Sequence, residues 1–151
     1  MRRASAFRKS QVAGVGLFVA LQAGAQTGEL GRWVTESGNL EVEIAPCGPA
    51  LCGTVVRVLA NRSMSKPEAE FAGLTSADGR PVLGMKILSG FASAGGGEWK
   101  GEIYNRENGK TYSCILSLAA PDELKVHSYI GLPLIGKTQI WRRAAEPAEK
   151  N

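Results

Sequence analysis

The residues able to do chemistry are few. The chain has one histidine, His127, and three cysteines, Cys47, Cys52 and Cys114. His127 stands beside Lys125 in a run where Leu124 and Val126 supply the apolar positions. No acid or nucleophile is paired with it by spacing, so it reads as a surface histidine rather than a general base. Glu41 and Glu43 share one face of a strand, as two carboxylates dividing acid and base work would. They alternate with Leu40, Val42 and Ile44, which makes theirs the solvated outer face. The sequence holds no Gly-x-Ser-x-Gly elbow, zinc signature or phosphate loop. Gly95-Gly96-Gly97 lacks the lysine of a phosphate loop and reads as a turn. These residue types lead us to expect no enzyme, no cofactor and no metal.

Cys47 and Cys52 are separated by Gly48-Pro49-Ala50-Leu51, a turn sequence. In an oxidising compartment they are the natural disulfide pair, and a second Cys/His pair that would make them metal ligands is missing. Cys114 is left over and reads as a small buried hydrophobe. The compartment follows from the N-terminus. Arg2, Arg3, Arg8 and Lys9 precede an apolar stretch, Val12 to Ala23, and Ala23-Gly24-Ala25 offers small residues for cleavage. That is the layout of a signal peptide, removed near Ala25, on a protein delivered to the periplasm or secreted. The stretch is shorter than a membrane span. No Cys stands directly after Ala25 to carry a lipid at the cleavage site, so no stable membrane anchor is expected.

Export changes the charge argument. The chain has 18 Lys+Arg against 14 Asp+Glu, a net +4. Residues 1–25 carry four of the cations and none of the acids, so the remainder balances at 14 against 14. A nucleic-acid partner loses its electrostatic support. What remains is the size of one domain, 26–143, with a polar tail over 144–151.

The elements that must position any site have a period of two. Tyr112, Cys114, Leu116 and Leu118 alternate with Thr111, Ser113, Ile115 and Ser117. Similar runs predict eight strands over 31–37, 39–46, 51–59, 83–91, 97–105, 110–118, 123–130 and 136–143. Turn signals separate them, and Asn108-Gly109 predicts a type I′ hairpin with both residues at positive φ. Sequential antiparallel strands of this number close into an up-and-down barrel, whose interior is filled by side chains or holds one small ligand. The 60–81 connection is long. Ser65-Lys66-Pro67-Glu68 predicts a short helix over 67–72, serving either as a binding lid or as a plain end-plug.

Within such a barrel Trp99, Ile103, Tyr112 and Leu116 alternate so as to point inward. They are the candidate ligand contacts, with core packing as the alternative for each. Arg57 joins them if its face, shared with Val55 and Leu59, is interior, where a buried cation would need an anionic partner. If Val56 and Val58 face inward instead, Arg57 is a surface charge.

Several runs resemble DUF2147, a family of small exported bacterial proteins. They are GRWVTESGNLEVEIAPCGPALCGTVV at Gly31–Val56, GRPVLGMKIL at Gly79–Leu88, WKGEIYNRENGKTY at Trp99–Tyr112 and GKTQIWRR at Gly136–Arg143. The resemblance implies a lipocalin-like, calycin-type barrel and no established activity. Some members carry a further cysteine pair where this chain has Ser128, Tyr129 and Gly136, so no second disulfide is expected. Gly31-Arg32-Trp33 resembles the Gly-x-Trp opening of lipocalins, which implies that Trp33 closes the barrel base. An arginine near the last strand, Arg142 or Arg143, would stack on it; Arg142 is the leading candidate. The expected function is non-covalent binding of a small, partly apolar molecule. The alternative is a cell-envelope module that touches a protein partner through the barrel surface or the 60–81 loop.

Overall fold

A computed structural model describes residues 28–61 and 74–145. Among them eight strands follow in sequence: β1 Gly31–Val34, β2 Leu40–Cys47, β3 Ala50–Val58, β4 Lys86–Gly95, β5 Glu98–Asn105, β6 Lys110–Ala120, β7 Glu123–Tyr129 and β8 Gly136–Arg143. Each pairs antiparallel with the next. β8 returns to β1 through Trp33↔Arg143 and Val34↔Arg142, which closes the barrel and leaves no free sheet edge. The expected architecture is therefore observed. The helix expected over 67–72 lies outside the described residues, as do the N-terminal segment and all but the first two residues of the tail.

The alternation read from the sequence sets the inner face. Trp33, Val42, Ile44, Val55, Leu116 and Trp141 are among the fully buried side chains. Two glycines take inward positions because large neighbours fill their space. A Cβ at Gly53 would come within 2.7 Å of Leu88, and one at Gly101 within 2.7 Å of Phe91 and of the Ser89 carbonyl. β4 presents both Leu88 and Phe91 to the core, three residues apart. An irregularity in its pairing around Gly90, at φ 67°, resets the parity between them.

Some boundaries differ from expectation. β1 ends at Val34 because Thr35 turns the chain: Gly38 N donates to its carbonyl (2.8 Å) and Leu40 N to its Oγ1 (3.2 Å). β4 begins at Lys86 rather than residue 83. Val82 to Met85 form a turn closed by Met85 N donating to the Val82 carbonyl (3.0 Å). The β5–β6 connection is not a type I′ turn. It spans the four residues 106–109 between paired Asn105 and Lys110, and only Gly109 has positive φ, at 72°. Asn108 instead uses its side chain, its Oδ1 accepting from Lys110 N (2.9 Å).

A meander places alternate connections at opposite ends. The turns after β2, β4 and β6 lie at one end with the chain entry at Gly28–Leu30. The connections 35–39, 59–85, 106–109 and 130–135 lie at the other.

Candidate functional site

The two ends are built differently. At the entry end Trp33 is fully buried, and its indole N–H donates to the Glu29 carbonyl (2.9 Å). The Arg143 guanidinium lies 4.2 Å from the centre of the Trp33 ring. It also donates to the carbonyls of Gly28 (2.7 Å), Leu30 (3.1 Å) and Pro121 (3.0 Å), which ties the incoming chain to the β6–β7 turn. Gly31, at φ 110°, leaves room for this arginine; a Cβ there would meet Arg143 Nη1 at 3.2 Å. Arg142, the residue favoured from sequence for this stacking, points outward and pairs with Glu123 (2.9 Å). The correction has a simple cause. Arg143 shares the parity of the buried Trp141, so it shares the inner face.

The opposite end holds a cavity of about 820 Å³, open to solvent. Its wall includes Leu40, Ile87 and Ile103, and all three tyrosines of the chain, Tyr104, Tyr112 and Tyr129, contribute to it. Charged and amide side chains stand around it: Glu36, Arg106, Glu107, Lys137 and Gln139. Tyr112 hydroxyl accepts from Asn108 Nδ2 (2.7 Å), so its own proton remains free to donate. Gln139 Oε1 accepts from the Trp141 indole (3.0 Å), which leaves the Gln139 amide N–H groups for another acceptor. The arrangement suits a molecule with an apolar body and a few hydrogen-bonding groups.

Tyr104 is held from outside the barrel. Arg80 sits 5.1 Å from the centre of its ring, and Ala77 N donates to the Arg106 carbonyl (2.7 Å). Asp78 organises this strap. Its carboxylate accepts from the Ser76 hydroxyl and from Arg80 Nε (2.6 Å). Those bonds, that from Ser76 foremost, hold its pKa at about 2, below the usual 3.8.

The residues singled out from sequence divide among these regions. Ile103 and Tyr112 are paired across β5 and β6 and both line the cavity. Trp99 and Leu116 form another cross-strand pair nearer the closed end. Leu116 is wholly buried in the core, and Trp99 packs against that core. Arg57 is outside. An irregularity in the β2–β3 pairing lets Val55 and Val58 pair with the inward Val42 and Leu40, and Arg57 pairs with Glu41. Arg57 and Arg32 cover Glu41 at 3.2 and 3.5 Å. Glu41 thus stands on the outer face as expected, but it is buried beneath two arginines rather than solvated. Leu40, Ile87, Tyr129 and Gln139 were not named as site residues. Their signal is position: each lies in the half of its strand that meets the open end.

His127 is occupied. Its Nδ1 lies 2.8 Å from Thr138 Oγ1, and its Nε2 lies 2.5 Å from the Pro133 carbonyl. A carbonyl only accepts, so Nε2 carries the proton, and the ring latches the 130–135 loop to β8. Cys47 and Cys52 form the expected disulfide, and Cys114 is a buried free thiol. Burial pushes its pKa up to about 12. Among the described residues, no group of three or more His, Cys, Asp or Glu is placed to hold a metal ion.

A closed eight-stranded antiparallel barrel with an aromatic–arginine closure at one end and a cavity at the other is a lipocalin-like architecture. The solved structure of a Helicobacter pylori protein, HP1028, described as belonging to the lipocalin family, matches it with a TM-score of 0.54. That likeness is at 19% sequence identity and covers 78% of this chain and 83% of the other, and it shows the fold. No curated protein matches the chain. Residues 31–143 match the family model DUF2147, uncharacterized protein conserved in bacteria, and the chain belongs to that family.

Proposed function

We propose that this protein is exported and binds a small, partly apolar molecule non-covalently in the open-end cavity, performing no chemistry on it. The observation that carries the reading is the cavity itself. Its volume, about 820 Å³, lies within the roughly 300–1,000 Å³ of small-molecule sites. Its wall combines aliphatic side chains with three tyrosines, which offer apolar faces and polar tips. Export is supported by the tripartite N-terminal sequence and by the Cys47–Cys52 disulfide, a bond that persists in oxidising compartments.

Native mass spectrometry of protein purified from the extracytoplasmic fraction tests this. A co-purifying mass is expected, and it should be lost in Ile103→Arg protein that retains its far-ultraviolet circular dichroism. Repeated absence of bound mass, together with no thermal shift across a panel of lipids and metabolites, would refute the binding reading. Recovery of the protein only in the cytoplasmic fraction, with its first 25 residues intact, would refute export.

A further inference from the structure

The charged side chains around the cavity do not choose a ligand by themselves, since Arg106 and Lys137 stand against Glu36 and Glu107. The hydrogen bonds already formed there do. Asn105 Oδ1 accepts from Glu107 N (2.9 Å), and a backbone N–H only donates, so the Asn105 amide N–H groups are left over. Gln139 is fixed in the same sense by the indole N–H of Trp141. Asn108 Oδ1 accepts from Lys110 N (2.9 Å), so its Nδ2 is the atom that meets Tyr112. The Tyr112 hydroxyl therefore accepts there and keeps its own proton to give. Asn105, Tyr112 and Gln139 all line the cavity, and each has its oxygen occupied and a donor to offer.

Several lining acceptors are already spent. Thr35 Oγ1 accepts from Leu40 N (3.2 Å) and Ser37 Oγ from Asn39 N (3.3 Å), which builds the 35–39 turn. Glu36 Oε1 accepts from Ile140 N (3.2 Å), and Glu107 is exposed on its turn. Ser128 is the exception: its hydroxyl donates to the Lys137 carbonyl (3.4 Å) and keeps its lone pairs. Among the charged lining residues Arg106 is the least exposed, and it enters no ion pair with the described residues.

Asn105, Arg106 and Tyr112 belong to one hairpin. Ile103 pairs with Tyr112 and Asn105 with Lys110, which makes Asn105 and Tyr112 diagonal neighbours across β5 and β6. Asn105 also shares the inward parity of Ile103. We infer that the ligand is a carboxylate with an apolar body. Its head takes the Asn105 N–H groups and the Tyr112 O–H, with Arg106 beside them, and its body lies against Leu40, Ile87 and Ile103. A carboxylate accepts through both oxygens and donates nothing, which matches side chains that have only donors left. Gln139, held by Trp141 on β8, offers a further donor to an oxygen along the body. The inference rests on the binding reading above and adds the chemistry of the head group.

The test is isothermal titration calorimetry of the purified protein at neutral pH with decanoate, decanol, decylamine and decyl phosphate, which share one apolar body. Decanoate should bind most tightly, with decanol at least roughly tenfold weaker because its hydrogen bonds lose their charge assistance. Tyr112→Phe removes one donor and should weaken decanoate roughly tenfold. Asn105→Asp keeps an oxygen for Glu107 N but turns the free side of the group from a donor into an anionic acceptor, so decylamine should overtake decanoate. Both variants should keep the wild-type far-ultraviolet circular dichroism, and the order of the probes on wild type needs no variant. Equal binding of decanoate, decanol and decylamine would overturn the carboxylate assignment and leave the cavity reading standing. So would tighter binding of decyl phosphate, or decanoate affinity unchanged in both variants. Binding of none of the probes would overturn the assignment and the cavity reading together.

Discussion

Replacing Arg143 by methionine tests the closure of the barrel base most directly. Methionine keeps an unbranched apolar stem but removes the charge and every donor. The wild-type guanidinium lies 4.2 Å from the Trp33 ring centre and donates to three backbone carbonyls, those of Gly28, Leu30 and Pro121. A partly desolvated cation–π contact contributes about 1–2 kcal/mol. Charge-assisted hydrogen bonds contribute about 1.5 kcal/mol or more each in protected sites. The Arg143 side chain is one-third exposed, so we discount the three together to about 2 kcal/mol. The expected loss is therefore about 3–4 kcal/mol, or a fall in Tm of roughly 10–15 °C for a domain of this size. Arg142→Met is the paired control. It breaks one ion pair whose arginine is 73% exposed, and should cost about 1 kcal/mol or less. Urea unfolding followed by tryptophan fluorescence reads both, since Trp33 and Trp141 are buried and would become hydrated. Equal losses in the two variants would refute the assignment of the closure to Arg143. A loss at Arg143 below about 0.5 kcal/mol would refute the idea that the guanidinium holds the base together at all.

Two further predictions concern the cysteines. Cys114 is fully buried and its pKa is raised from 9.0 to about 12. In the folded protein it should resist alkylation at mildly alkaline pH and react once urea unfolds the chain. Because the raised pKa disfavours thiolate only in the folded state, its share of stability is intact below about pH 9. That share is lost by up to about 1.4 kcal/mol per pH unit toward 12, and Cys114→Ala should flatten the decline. Cys47 and Cys52 are five residues apart, so their bond closes a small loop. The chain-entropy relation gives about 2 kcal/mol for a loop of that size. Reduction should lower the urea midpoint by a corresponding amount while the barrel circular dichroism persists. Loss of the fold on reduction would show that the bond is essential rather than auxiliary.

Most of the barrel was legible because its evidence is local. Leu40, Val42 and Ile44 alternate within one strand, and a half-buried strand needs nothing more to be recognised. The parts that were not legible depend on non-local registration. Arg57 was ambiguous because its side follows from where the β2–β3 pairing slips, and nothing within Thr54–Leu59 reveals the slip. The choice between Arg142 and Arg143 turns on Trp141. Once that tryptophan is known to be buried, parity alone selects Arg143, but its burial is decided by β7 and by closure onto β1.

The cavity shows the same division more sharply. Ile103 and Tyr112 line the cavity, Leu116 is buried in the core and Trp99 packs against it, the packing alternative the sequence also offered, yet the two pairs have the same inward parity. What separates them is distance along the barrel axis. Trp99 and Leu116 lie nearer the end that Trp33, Trp141 and Arg143 fill; Ile103 and Tyr112 lie at the end that no described aromatic plugs. Alternation gives the face of a residue but not its depth. Depth follows once the meander is counted out, since every second connection returns to the same end. By that count the Ile130–Ile135 run, which in sequence is only a short apolar stretch between two strands, falls on the rim of the cavity. An apolar segment beside Trp33 would have been core. At the open end the same residues have no core to enter, so they stay exposed, and Ile130 and Ile135 line the cavity instead.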